Sequence, residues 1–147
     1  MTHTTPPAFA RPRVGVVIGD PSGIGPEVVA KAWTSGRLHE ECRPVLLGSA
    51  IAMEQVLPLL PSGVSVRIID ALDQGSDSAR VLDIIDSGAL DPRDIIVGVD
   101  TIACGKASAD WLDEADRLAR AGALDATVMG PISAVAMQMA GVADRVI

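Results

Sequence analysis

Short aliphatic runs alternate with amphipathic stretches along this chain. Residues 14–18, Val-Gly-Val-Val-Ile, form the first run and predict a buried strand. Residues 27–34 place Val28, Val29, Ala32 and Trp33 on or near one helical face, and Gly36 ends that helix. Residues 44–48 predict a second buried strand. Ser49 can cap a helix over 50–57, which Pro58 stops. The turn Pro61-Ser62-Gly63 leads into a third strand over 64–69. Strand and helix thus alternate as βαβαβ over residues 14–69, the opening of a mainly parallel α/β sheet flanked by helices.

The pattern is weaker over residues 70–94. Residues 73–78 predict a polar loop, and 78–85 fit either a short helix or a strand. The β-branched run over 95–99 predicts a strand. Residues 106–121 predict the clearest helix, with Trp111, Leu112, Ala115, Leu118 and Ala119 at helical spacing and Gly122 as its stop. A strand over 124–129 follows, then the turn Gly130-Pro131 and a helix over 133–140 carrying Met137 and Met139 as core or interface filler. Residues 1–12 are expected to be a disordered tail and 13–147 a single α/β domain.

Composition narrows the partners. Of the 147 residues, 48% are apolar, enough for a real core, while only 2% are aromatic, so that core must be aliphatic. A net charge of −7 argues against nucleic acid or an anionic membrane surface as partner. It is also the wrong sign for a phosphate ester or a dinucleotide, which would need basic groups from elsewhere. Cys42 and Cys104 read as two reduced thiols of a cytoplasmic protein. No apolar stretch approaches the ~20 residues that span a bilayer.

The most informative segment is Gly19-Asp20-Pro21-Ser22-Gly23-Ile24-Gly25-Pro26-Glu27. It joins the first strand to the first helix, where α/β sheets build ligand sites. Pro26 suits the first helical turn, and Glu27 lies near the positive end of the helix dipole. The segment lacks the Gly-Lys-Ser/Thr of a P-loop and the Gly-x-Gly-x-x-Gly spacing of the dinucleotide fingerprint. Asp20 and Glu27 would repel a phosphate lying on the loop. A ligand here would use backbone groups, the Ile24 side chain or hydroxyl contacts. The alternative is a tight turn that only needed flexible residues.

These nine residues resemble the N-terminal signature of the 4-hydroxythreonine-4-phosphate dehydrogenase family, of the pyridoxal phosphate biosynthesis type. A second stretch, Asp125-Ala126-Thr127-Val128-Met129-Gly130-Pro131-Ile132-Ser133 with Ala140-Gly141, is similar to a later family motif. Gly105-Lys106-Ala107-Ser108 matches a helix-opening step between them. The first motif also resembles the corresponding turn of the isocitrate and isopropylmalate dehydrogenases, a wider group sharing the fold.

The resemblance implies an oxidoreductase. A secondary alcohol of a phosphorylated hydroxy acid is oxidised with NAD or NADP, and the β-keto acid then loses carbon dioxide. A divalent metal, Zn or Mg, assists. Members are homodimers with the site between two α/β domains. Relatives act on 4-phosphohydroxythreonine, phosphothreonate, phosphoerythronate or a cyclic diol from aromatic-acid breakdown. Family members are much longer than this chain. Their Gly-His-Thr-Glu segment is expected just after Ile147, and their metal-binding histidines later still. His3 and His39 match neither, and Ala134 stands where the family often has lysine. The expectation is therefore an N-terminal portion of such an enzyme, inactive alone and without its metal. The alternative is a non-catalytic binding or dimerisation domain of the same descent.

No catalytic or metal-binding residue is assigned within this chain. The expected cofactor-side residues are Gly19, Asp20, Gly23, Ile24, Gly25 and Glu27. Asp20 could instead bond backbone N–H groups in its own turn. Lys106 could face a ligand or a partner subunit. Ser133 could simply cap the last helix. Asp125 is expected in the turn that enters a strand.

Overall fold

The computed structural model describes residues 11–88 and 90–146. Its elements are β1 (Arg13–Val17), α1 (Gly25–Thr34), α2 (Arg37–Glu41), β2 (Arg43–Leu47), α3 (Ala50–Val56), β3 (Ser65–Ile68), β4 (Val81–Ile85), α4 (Ile102–Arg120), β5 (Ala126–Met129) and α5 (Ala134–Met139). The five strands form one sheet in the order β3-β4-β2-β1-β5. Every pairing is parallel, as the alternating pattern implied.

The order explains where the helices go. From β1 the chain steps to β2 and on toward β3, and from β3 it steps back through β4 to β5. Right-handed crossovers then put α1 and α3 on one face, and α4 with the 70–80 connection on the other. The direction reverses beside β1, so a crevice opens outside the carboxyl ends of β1 and β5.

Aliphatic burial holds the layers together. Ile18, Leu46, Leu47, Met53, Leu82 and Ile84 are fully buried, joined by Trp33 from α1. Each such side chain contributes roughly 1.5–3 kcal/mol relative to exposure. On α1 the buried face is Val29, Ala30 and Trp33, while the expected Val28 is 47% exposed. Ser49 caps α3 by accepting from the Ala52 N–H at 3.3 Å, as its position suggested. Trp111 and Ala115 are the fully buried part of the anticipated α4 stripe.

Several local readings change. The ambiguous stretch over 78–85 is a strand at its C-terminal end, β4. The run over 95–99 is not a strand: a 3-10 turn at Pro92–Asp94 leads into a loop. The long helix starts at Ile102, where the Thr101 hydroxyl accepts from the Cys104 N–H. Gly105 and Lys106 therefore lie inside α4 and do not open it. A side chain at Gly105 would place its Cβ 2.1 Å from the Ala136 carbonyl oxygen of α5. Glycine is there for close helix approach.

The connection from β3 to β4 has no α-helix. Asp83, buried on β4, binds it to the sheet by pairing with Arg67 at 2.8 Å and accepting from the N–H and hydroxyl of Ser76. The expected tail lies outside the described residues up to position 10. Arg11, at its end, is buried, donates to the carbonyls of His39 and Cys42, and pairs with Asp77.

Candidate functional site

The turn over residues 19–27 leaves the carboxyl end of β1 and enters α1. Beside it, residues 130–133 leave β5 and enter α5. The two sequence motifs touch there through their backbones. Gly130 donates its N–H to the Val17 carbonyl at 2.8 Å, and Asp20 donates its N–H to the Pro131 carbonyl at 2.8 Å. Gly19 has φ +82°, and a Cβ on it would lie 2.2 Å from the Pro131 oxygen. A Cβ on Gly25 would lie 2.2 Å from the Ile18 oxygen, and one on Gly130 would lie 2.7 Å from the same atom. Gly19 and Gly130 let two segments cross at backbone contact, and Gly25 lets α1 start against the end of β1.

Asp20 is buried and accepts from the Ser22 N–H at 3.0 Å, so the local turn reading is the observed one. Burial pushes its carboxyl pKa up, the Ser22 N–H pulls it down, and nearby Asp100 adds to the rise. Glu27 pairs with Lys31 one helical turn on, at 2.8 Å and exposed. Gly23 and Ile24 form the exposed tip, with Ile24 at 63% exposure. Of the six expected residues, Gly19, Asp20 and Gly25 line the buried floor, and Gly23, Ile24 and Glu27 face outward.

Sequence reasoning missed the groups that tie this turn to its neighbours. Ser22 is buried; its hydroxyl accepts from the Ile96 N–H at 3.1 Å, and its carbonyl accepts from the Gly98 N–H at 2.7 Å. The Cys104 sulfur lies 3.2 Å from that hydroxyl and 3.3 Å from the Asp94 carbonyl. The Ser108 hydroxyl donates to the Gly19 carbonyl at 3.2 Å. A signal was available for Ser108, a small polar residue between Ala107 and Ala109, whereas Ser22, between Pro21 and Gly23 of the turn, carried none.

Ser133 caps α5, accepting from the Ala136 N–H at 3.0 Å, and also donates to Asp100. Lys106 pairs with Asp110 at 2.7 Å along α4. Asp125 accepts from the Arg13 N–H at 2.8 Å at the entry to β5. His39 lies away from the turn, edge-on to Trp33 with ring centroids 4.8 Å apart. Burial lowers its pKa. His3 lies outside the described residues. Both cysteines are free thiols.

A cleft of about 250 Å³ opens between the tip of the turn, α3 and the 97–98 loop. Ile24, Val56, Leu59 and Val97 make its apolar walls, with Glu27 and Gln55 at the edge. Its lining holds no lysine or arginine. Such a site fits a flat, weakly polar ring with hydroxyls near Glu27, and does not fit a pyrophosphate. Among the described residues no group of three or more His, Cys, Asp or Glu side chains is placed to hold a metal ion. None of their helices is long and apolar enough to cross a membrane.

Comparison with known proteins gives the descent. The profile of the family described as pyridoxal phosphate biosynthetic protein PdxA matches residues 40–145. A Novosphingobium aromaticivorans protein assigned as a 4-hydroxythreonine-4-phosphate dehydrogenase is 46% identical over 93% of this chain and 42% of its own length. The solved structure of a 4-hydroxythreonine-4-phosphate dehydrogenase from Burkholderia phymatum superposes with a TM-score of 0.84 at 26% identity, over 90% of this chain and 40% of that one. A terephthalate 1,2-cis-dihydrodiol dehydrogenase from Burkholderia xenovorans superposes with a TM-score of 0.70 at 28% identity, over 89% of this chain and 37% of that one. The chain thus spans about two fifths of the length of these relatives. With both motifs meeting at one crevice of a parallel α/β sheet, this chain belongs to the PdxA family.

Proposed function

We propose that these residues form the N-terminal portion of an NAD(P)-linked dehydrogenase acting on a 4-phosphorylated hydroxy acid such as 4-phosphohydroxythreonine. The observation that carries this reading is the crossing of the two family motifs at the carboxyl ends of β1 and β5. The assigned activities of the relatives support the substrate class.

In this reading the chain's part is positional. The glycine crossing fixes the path of the turn, and Ser22 holds the 96–98 loop against it. Ile24, Leu59 and Val97 then offer an apolar wall to one ring of the nicotinamide cofactor. Glu27 would accept from a ribose hydroxyl. The cofactor, when bound, supplies the hydride acceptor. Its pyrophosphate and the substrate phosphate need cationic partners that the cleft does not carry. A divalent metal would polarise the substrate oxygen in the whole enzyme, yet the described residues offer no ligand set for one. The 147 residues alone are therefore proposed to be inactive, with homodimerisation and cytoplasmic location as further properties of the whole protein.

The test is a hydride-transfer assay on the pure chain with 4-phosphohydroxythreonine, NAD and Zn²⁺ or Mg²⁺, beside an NMR titration with NAD. The expected result is no NADH formation and weak, saturable shifts confined to Gly23, Ile24, Glu27 and Val97. Turnover at an ordinary enzymatic rate, or shifts only elsewhere, would overturn the reading.

A further inference from the structure

At the opposite ends of the strands the electrostatics reverse. Arg13 opens β1 and Arg43 opens β2, and the two are direct register partners. Partnered residues on parallel strands project from the same face, ~4.8 Å apart at the backbone. Two like charges so placed repel unless something answers them.

Eight of the twelve lysine and arginine side chains pair with a carboxylate among the described residues, and Arg13 and Arg43 are not among them. Arg43 Nε donates to the Arg11 carbonyl at 3.0 Å, which holds that guanidinium in place and leaves its terminal nitrogens free among the described residues. Both arginines line a cavity of about 260 Å³ with Val45, Leu72, Asp73 and Asp77. Asp77 is taken by Arg11. Asp73 is the remaining carboxylate in that lining, which sets three arginines against two aspartates in a chain of net −7. Residues 1–10 contain no aspartate or glutamate and bring no side-chain carboxylate to it. Past Leu72 and Asp73 the cavity meets a wider recess of about 460 Å³, which Arg13 also lines together with Asp70, and where Glu114 and Arg117 already pair with each other.

We propose that this cavity is a binding site for a small oxyanion, a carboxylate or a phosphate group, held between the guanidinium groups of Arg13 and Arg43. Planar guanidinium forks suit such an anion, and two of them side by side need one. The site lies a strand's length, ~15 Å, from the motif turn and is independent of the cofactor reading.

The experiment follows the Arg Nε–H resonances by NMR while inorganic phosphate or acetate replaces chloride at constant ionic strength. The proposal expects a saturable shift at Arg13 and Arg43 with at least one of the two, and the tighter binder distinguishes phosphate from carboxylate chemistry. Arg13→Gln, which leaves the backbone bond to Asp125 intact, should weaken that affinity by about tenfold, the loss of one charge-assisted bond. Arg13→Lys should fall between, and Arg93→Gln should change nothing. Should R13Q fold poorly, Arg43→Gln gives the same readout. No saturable shift with either anion, or an unchanged affinity in the folded arginine variant, overturns the proposal.

Discussion

At the floor of the motif turn, a methyl group on Gly19 or Gly25 would lie 2.2 Å from a backbone carbonyl oxygen. At its tip, a methyl group on Gly23 would have the Asp20 side chain as its nearest neighbour, the carboxylate oxygen at 3.2 Å. The same nine-residue signature therefore contains two kinds of glycine. Gly19 is demanded by a second chain segment, the one leaving β5, and Gly25 by the Ile18 carbonyl at the end of β1. The tip glycine meets no backbone atom that closely, only a side chain that can shift, and it stands beside the exposed Ile24 and the apolar cleft. A motif can be specific for a family because it folds the protein, while only part of it is free to meet a ligand.

Gly19→Ala should break the floor most severely. Its backbone is left-handed, which costs a non-glycine residue about 1–2 kcal/mol. The backbone clash adds about 1–3 kcal/mol of overpacking. A loss of roughly 3–4 kcal/mol is expected in urea unfolding, a large fraction of the about 5–15 kcal/mol by which domains are stable.

Ser22→Ala should cost less, about 1–2 kcal/mol, because the Ile96 N–H loses its acceptor while the Ser22 carbonyl still holds Gly98. The tip loop over 96–98 should loosen with it. Faster hydrogen exchange at Ile96 and Gly98, with β1 and β5 unchanged, is the outcome that supports the comparison.

Asp20 offers a smaller effect with a defined sign. Its folded-state pKa is raised, first by burial and then by Asp100. Such a group favours folding when protonated, so its contribution is full below the ordinary carboxylate range and is lost as pH rises through the raised value. Asn at this position can still accept from the Ser22 N–H. Asp20→Asn should therefore gain stability over the wild type as pH rises from 3 toward 7, and the two should converge at low pH. A constant difference across that range would remove Asp20 as a buried charge.

Much of this was legible in sequence because each legible feature is local. The strands β1 and β2, the Ser49 cap and the turn itself follow from short-range pattern and chemistry. The run over 95–99 misled for the same reason. Its β-branched residues look like a strand, but their N–H groups turn back to Ser22 and Pro92–Ile96, and Val97 is 76% exposed. Gly105 misled in the opposite direction. A glycine inside a helix reads as an opening, and only the approach of Ala136 from α5 explains it. The division of the signature into floor and tip was likewise hidden, since Gly19 meets a segment more than a hundred residues away and Gly25 meets the Ile18 carbonyl only once the turn has folded back on β1.

Urea unfolding of Gly25→Ala beside Gly23→Ala, under identical conditions, tests the division most directly. The floor variant meets the Ile18 carbonyl and should lose about 3 kcal/mol. The tip variant can be relieved by a small shift of the Asp20 side chain and should change by no more than about 0.5 kcal/mol. Equal losses, or a larger loss at Gly23, would contradict the account.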